Sequence, residues 1–393
     1  MMAIETSMNA QDETTAEGAI LLQHGFDLWQ ESFNVDVHAD VRGKLERAQA
    51  KARDRKNDAD PVVVEIDGVL FQVKAHGARG GVRLVAKTPH LTLMLRNPMD
   101  WCLTLRASAV GLWTRGIELV NEIARFAERI GHQRPSSDWF SRVGRFDYAF
   151  DFYAPNFGRY MQPEIRRLFV GRSGVRIRTD DSVMTYGRGD RLETVTVGRM
   201  PGLQLTIYDK AREIRAIGLD WYDPMLRART ATKLPDQLED IWRIEIRFGS
   251  DALDALGLRD RGDILGNLER IVADALDARR LVARPASDDT DRRRWPMHPL
   301  FAMAIDACRE GFRPMVIKPP VTLAAERIER MLTQQVGGVL MAISVLKFGA
   351  VDRIAMHEAA SRAVERVVEM EPGRLDRKAE ILIDRYRFIQ EAR

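Results

Sequence analysis

The sequence predicts an α+β protein: an antiparallel-rich central sheet with packed helices, followed by an all-helical C-terminal domain. Three observations carry this. Apolar residues alternate with polar or charged ones in short runs as far as Phe248, the period of half-buried strands. Asp67-Gly68 stands between two such runs, the two-residue signature of a hairpin. After Asp251 the alternation gives way to helical spacing.

In chain order, residues 1–17 are polar, rich in small residues and poor in aromatics, a disordered leader. Residues 18–255 form the α+β domain. Phe26 to Trp29, with Phe33 and Val35, reads as a strand, and the basic, Ala-rich stretch Val41 to Lys56 as a helix. Val62–Ile66 and Val69–Val73 are the hairpin, with further strands at Val82–Ala86, Leu91–Leu95 and Leu103–Leu105. Gly111 to Ile130 repeats leucine, isoleucine and phenylalanine at helical spacing and is closed by Gly131. Strands follow at Val143–Phe152, Leu203–Tyr208 and Ile241–Phe248, and Asp209 is placed to cap a short helix. Residues 256–393 form the helical domain: an amphipathic helix from Asp260 to Arg280, a polar linker from Arg284 to Arg294, then helices at His298–Arg309, Val321–Phe348, Val351–Val368 and Arg374–Gln390.

The chain of 393 residues has ordinary hydrophobic (45%) and charged (30%) contents, so it builds a sizeable core. A net charge of +3 means that any polyanion site must come from local clustering. Two distant cysteines, Cys102 and Cys308, exclude a disulfide framework or zinc finger and suit a reducing compartment. There is no signal-peptide layout and no apolar run of spanning length, so the expected location is the cytoplasm, without a membrane partner. Gly77 to Gly81 is glycine-rich but lacks the Lys-Ser/Thr of a phosphate-binding loop, which makes it a turn. No His-x-His pair occurs.

The chemistry-bearing segments are two strands with one apolar and one ionic face, and a turn between them. In Arg145-Phe-Asp147-Tyr-Ala-Phe-Asp151, positions i, i+2 and i+6 share a face; in Arg243-Ile-Glu245-Ile-Arg247 all three charges do. If the strands are neighbours, Asp147, Asp151 and Glu245 converge as oxygen ligands for Mg²⁺ or Mn²⁺, and the arginines face phosphate oxygens. The alternative is a ladder of ion pairs between adjacent strands. Tyr208-Asp209-Lys210 with Glu213 ends a strand and opens a helix; Lys210 and Glu213, one turn apart, also suit a plain surface pair. Between Arg159 and Arg199 lies a basic track, with Arg166, Arg167, Arg172, Arg176, Arg178, Arg188 and Arg199 joining Arg145 as candidate DNA contacts. Tyr160, Phe169 and Tyr186 are the aromatics available there to stack on unpaired bases.

The order of these segments resembles the trans-acting replication initiators of rolling-circle plasmids and filamentous phages: an Arg-x-Asp-x-x-x-Asp strand, a glycine-and-arginine turn (Gly198-Arg199) leading to Tyr-Asp-Lys-x-x-Glu, then Arg-x-Glu-x-Arg. The likeness spans Arg145 to Arg247. It implies a replication initiator, acting for a plasmid, phage or integrated element, that binds partly single-stranded origin DNA and nicks one strand by metal-assisted transesterification, leaving a 5′-phosphotyrosine. Asp147, Asp151 and Glu245 would then be metal ligands for Mg²⁺ or Mn²⁺, and Lys210, Arg243 and Arg247 catalytic cations. At the position of the family's tyrosine the chain has Thr196; Tyr186 is the nearest substitute nucleophile, and Tyr160 a further one. A separate helicase is implied, since the chain carries no ATPase motif, and a homodimer is compatible. Two other readings stay open: a non-catalytic DNA-binding repressor or replication accessory protein on the same fold, favoured by Thr196, and a metal-dependent nuclease that uses water.

Overall fold

The structure is a computed structural model and describes residues 18–54, 62–135, 140–171, 183–188, 191–230, 233–284, 288–292, 294–310, 333, 336–349 and 351–370. The chain forms two compact units: one of residues 1–37 and 90–317, the other of residues 38–89 and 318–393. Residues 256–317 thus belong with the charged strands.

The first unit opens with β1 (Ile20–Phe33) and β2 (Val35–Val37). The second contributes α1 (Ala39–Arg53), β3 (Val62–Ile66), β4 (Val69–Val73) and β5 (Leu84–Lys87). Here β3 and β4 pair across the expected hairpin, with Asp67 and Gly68 both at positive φ (51° and 72°), as a type I′ turn needs. Returning to the first unit, β6 (Leu91–Leu95), β7 (Leu103–Ala107), α2 (Ala109–Arg115), α3 (Ile117–Ile130) and β8 (Gly131–Gln133) follow. Next come β9 (Ser141–Tyr153), β10 (Phe169–Gly171), β11 (Val183–Arg188), β12 (Arg191–Gly198), β13 (Leu203–Asp209), α4 (Lys210–Ile217), α5 (Tyr222–Arg229) and β14 (Ile241–Phe248). Then α6 (Ser250–Ala255), α7 (Arg261–Gly266), α8 (Leu268–Ala278), β15 (Arg279–Leu281) and α9 (Pro299–Glu310) complete it. In the second unit residues 336–348 are helical and α10 spans Arg353–Met370. None of the described helices is long and apolar enough to cross a membrane.

In the first unit the sheet runs β11-β12-β13-β14-β9-β1-β7-β6, and the pairings are antiparallel. The α+β, antiparallel-rich class read from the sequence is the one found. β9 lies near the middle, and its alternation explains why: Phe146, Tyr148, Phe150 and Phe152 are all buried on one face. Phe146 stacks on Phe248 of β14 at 4.5 Å between ring centroids and packs edge-on against Phe26 of β1. The buried residues of α8 (Leu268, Ile271, Val272, Ala275, Leu276) recur at helical spacing, the pattern of a helix laid against a sheet.

Three expectations are revised. The first strand, expected from Phe26 with Phe33 and Val35, begins earlier, at Ile20, and ends at Phe33, while Val35 opens β2; three register shifts against β9 interrupt its alternation and hide its start. The helix expected over Gly111–Ile130 is two, broken at Gly116, whose φ of 57° only glycine adopts freely. That expected over Asp260–Arg280 is α7, a break at Asn267, α8, and the short strand β15, which pairs with β10. The leader and the helix at Arg374–Gln390 lie outside the described residues.

A candidate ionic site on one sheet face

The three charged segments are consecutive strands. β14 lies between β13 and β9, with Arg243 opposite Asp151, Arg247 opposite Asp147 and Glu245 opposite Ala149. On the other side, Tyr208 faces Arg243, Thr206 faces Glu245 and Gln204 faces Arg247. Directly paired residues share a face. Arg145, Asp147, Asp151, Arg243, Glu245, Arg247 and Tyr208 therefore lie on the face opposite the aromatic core.

Asp147 and Glu245 are only 3% and 2% exposed. Arg145 grips Asp147 with two bonds, Nε to Oδ1 at 2.8 Å and a terminal nitrogen to Oδ2 at 2.6 Å. Arg247 Nε donates to Glu245 Oε1 at 2.6 Å and stands 3.9 Å from Asp147 Oδ2, so one guanidinium lies between both carboxylates. Tyr208 donates its hydroxyl to Glu245 Oε2 at 3.0 Å, and Gln204 Oε1 accepts from Arg247 at 3.1 Å. Burial, then the Glu245 charge, pushes the Asp147 carboxyl up to about 6, against the pull of Arg145. Burial works against the charge of Arg247, but Glu245 and Asp147 raise its pKa. The phenol of Tyr208 is driven well above its ordinary range by burial and by Glu245.

Beside this pair lies a second, enclosed cluster. Arg243, expected among the phosphate-facing cations, is 0% exposed. Its Nε and one terminal nitrogen donate to the two oxygens of Asp151 at 2.6 and 2.9 Å, and the other terminal nitrogen donates to Asp27 Oδ1 at 2.5 Å. Asp151 also accepts from Gln23 Nε2 at 2.8 Å and from the Tyr222 hydroxyl, and Trp113 Nε1 donates to Asp27 at 2.8 Å. Burial disfavours the charges here, yet the pKa of Asp27 is lowered, chiefly by Arg243 and Lys210, and that of Arg243 is raised well above its ordinary value by Asp151 and Asp27. With its donors committed and no solvent-facing surface, Arg243 has no room for a phosphate, and Asp151 serves it as counter-charge. This corrects the phosphate-facing role expected of Arg243 and sets Asp151 apart from the Asp147–Glu245 pair. The sequence reading missed Gln23, Asp27, Trp113 and Tyr222. Only Asp27 left a signal, a carboxylate inside an apolar strand.

Asp209 caps α4, accepting from Arg212 N at 2.9 Å, which fixes the path of Lys210. Lys210 is 5% exposed, paired with Glu213, and lies 5.7 Å from the Tyr208 ring centre and 5.1 Å from that of Tyr222. A cavity of about 360 Å³ opens beside it, lined by Thr194, Thr196, Thr206, Tyr208 and Arg247 from the sheet and by Arg212, Glu213 and Ala216 from α4.

Tyr186 is 61% exposed on β11, opposite Thr194, which in turn faces Tyr208. It shares the ionic face but lies three strands from β14, about 14 Å at the usual strand spacing. Thr196 lies opposite Thr206, their hydroxyls 3.4 Å apart, in the row that continues to Glu245. Among the expected DNA contacts, Arg166, Arg167 and Arg199 are exposed, Arg166 donating to the Thr185 hydroxyl. Arg172, Arg176 and Arg178 lie outside the described residues, as does the side chain of Arg188. Two expected stacking aromatics are committed elsewhere. Phe169 is buried in β10, and Tyr160 donates to the Val282 carbonyl at 2.9 Å while packing on His298.

Among the described residues no group of three or more histidines, cysteines or carboxylates forms a metal cage. Asp147 and Glu245 fit a hard divalent ion of the magnesium type, which takes one or two carboxylates and completes its shell with water and phosphate. Burial first and then the Glu245 charge hold the Asp147 carboxyl up, and that repulsion is what such an ion would relieve.

No protein-family profile matches this sequence, and no curated protein matches it. Among solved structures, the chain is similar to a rolling circle replication initiator protein from Geobacillus stearothermophilus, at 15% identity and a TM-score of 0.37, over 75% of this chain and 98% of that one.

Proposed function

We propose that the protein is a replication initiator that binds single-stranded origin DNA on the ionic face and nicks it with the help of a divalent ion. One observation carries the reading. Segments up to about a hundred residues apart in sequence fold as adjacent strands and set a buried acid pair, Asp147 and Glu245, between Arg145 and Arg247 beside an open cavity. A buried acid pair ringed by arginines is an expensive arrangement for stability alone. It suits phosphodiester chemistry, where the acids hold a cation and the arginines hold the phosphate.

In this reading Asp147 and Glu245 hold Mg²⁺ or Mn²⁺, which when bound polarises the scissile phosphate. Arg247, whose side chain keeps about a third of its surface exposed, turns outward to a phosphate oxygen. Arg145 and Arg199 contact the backbone of the strand. Lys210 supports the site through Tyr208 and Tyr222. Tyr186 supplies the nucleophile: its phenol loses a proton, its oxygen bonds to phosphorus, and the leaving 3′ oxygen takes a proton. The exposure of Tyr186 on the ionic face supports that role, and reaching the acid pair requires β11 to fold over the face. A separate helicase opens the duplex.

The second reading, an origin-binding protein that does not cut, is favoured by Thr196 in the row of Glu245 and by Arg247 occupying the place between the acids. One experiment separates them. Purified protein is incubated with supercoiled DNA carrying the origin of its own replicon and Mg²⁺ or Mn²⁺, and products are run on a denaturing gel. The initiator reading expects relaxed DNA and a covalent adduct that Tyr186→Phe removes, with nicking lost in Glu245→Gln. Nicking without an adduct assigns a water-using nuclease, and binding without cleavage under either metal assigns the non-catalytic protein.

A further inference from the structure

Beyond Arg145 the ionic face continues over strands that the proposed site does not use. Direct pairing places Arg145 of β9, Gln30 of β1 and Arg106 of β7 in one row, and Arg142, Ser32 and Thr104 of the same strands in the next. Arg96, just past β6, joins them by donating to the Thr104 hydroxyl at 3.1 Å. Alternation alone would put Arg142, three residues before Arg145, on the opposite face. The register shift at Gly144 turns it over, since Gln30 pairs with Arg145 and Glu31 already with Val143. The sequence analysis missed this row for that reason.

Arg106 and Arg142 are exposed. Two nitrogens of Arg106 donate to Gln30 Oε1, at 2.9 and 2.5 Å, which fixes its plane against the row. Partial burial and then Arg145 lower the pKa of Arg106. Partial burial, then Arg259 and more weakly Arg96, lower that of Arg142 against the pull of Asp254. These cations therefore crowd one another, which an anion between them would relieve. The acids around them are already held: Asp147 by Arg145, Asp254 by Arg259 and Asp100 by Arg134. At the end of the path Arg142 lies over the Trp101 ring, 4.4 Å from its centre. Trp101 is half-buried and has a φ of 58°, a conformation that bulky side chains rarely take. Arginines in line that end on an aromatic ring combine the two contacts a single strand offers, phosphates and base faces.

We propose that a second DNA track leads from the acid pair across β9, β1 and β7, where Arg145, Arg106 and Arg142 hold backbone phosphates of a single strand and Trp101 stacks on one of its bases. The inference rests on the DNA-binding reading above and extends it to the side of the acid pair away from Tyr186. Two strand spacings, about 10 Å, separate Arg145 from Arg106.

The test is a salt titration of binding to a fluorescein-labelled oligothymidylate, followed by anisotropy, for wild type, Arg106→Met, Arg142→Met and Trp101→Ala, with a thermal melt of each. Each arginine variant is expected to reduce the slope of log affinity against log salt by about 0.7, one phosphate contact on a single strand, without a change in melting temperature. Trp101→Ala is expected to weaken binding about tenfold at every salt concentration and to keep the slope. Loss of so large a ring can prevent folding, so ultraviolet crosslinking of the wild type to an iodouracil-substituted oligonucleotide reads the same contact, with the adduct expected on the peptide that holds Trp101. The wild-type slope in either arginine variant, or wild-type affinity in Trp101→Ala, would overturn the track while leaving the DNA-binding reading intact. Failure of an arginine variant to fold would overturn it by assigning a structural role, and so would adducts found only on peptides away from Trp101, by placing the bases elsewhere. Absence of salt-dependent binding by the wild type would remove both readings.

Discussion

At the scale of the residue, two acids on the same strand, Asp147 and Asp151 of β9, have different duties, and the difference is testable. The Asp147 carboxyl has a folded pKa near 6 against an ordinary value of 3.8. An acid whose folded pKa is raised contributes stability that is present below the unfolded value and is lost as pH rises through the folded one, here between about pH 4 and pH 6. Asp147→Asn is therefore expected to gain in melting temperature relative to wild type as pH is raised from 4 to 7, with the crossover near 5 to 6. Saturating Mg²⁺ or Mn²⁺ should raise the melting point of the wild type, by about 2.7 kcal/mol of stability at a hundred times the dissociation constant, and should leave Asp147→Asn unmoved. Arg243 answers to the fold. Its replacement by Met strands Asp27 and Asp151 in a closed site and should cost roughly 3–5 kcal/mol in denaturant unfolding. Arg243→Lys should not rescue it, because an ammonium cannot make the paired bonds to Asp151.

At the scale of the element, the site depends on a strand that ends where a helix begins. Asp209 closes β13 and caps α4, so a single carboxylate fixes both its strand neighbour Tyr208, which faces the cavity, and the first helical residue, Lys210. Removing the cap in Asp209→Ala is expected to cost about 1 kcal/mol, with Asp209→Ser restoring most of it, as read by urea unfolding. This element was legible in the sequence because a strand period, a capping residue and a helical period follow one another without a break. The break at Gly116 was not, because a single glycine inside an otherwise helical pattern does not announce which φ it takes. Nor were the ends of β1, since register shifts move its apolar residues out of strict alternation.

At the scale of the whole molecule, the central strands are enclosed on both faces while β11 is the edge of the sheet in the first unit. Hydrogen exchange should accordingly find the amides of β9, β14 and the facing part of β1 exchanging last, and those of β11 early. The edge strand is also the one that carries Tyr186, so the residue proposed to move belongs to a strand that, among the described residues, is paired on one side only. A small net charge of +3 leaves the ionic face to supply whatever attraction DNA feels, and binding should weaken steeply with salt despite it.

The sequence by itself determined the class of fold, the hairpin at Asp67-Gly68, the capped start of α4 and the identity of the charged strands, because each of these rests on periods and turn chemistry that act over a few residues. Only the tertiary structure decided what the charges do. Which strands are neighbours, and in which register, places Arg247 between Asp147 and Glu245 but closes Arg243 around Asp151 and Asp27. Both arginines sit in the same short motif on the same strand face, four residues apart. Their fates differ because burial belongs to what packs above a sheet, here Trp113 and Tyr222 over Arg243, and that arrives from distant parts of the chain.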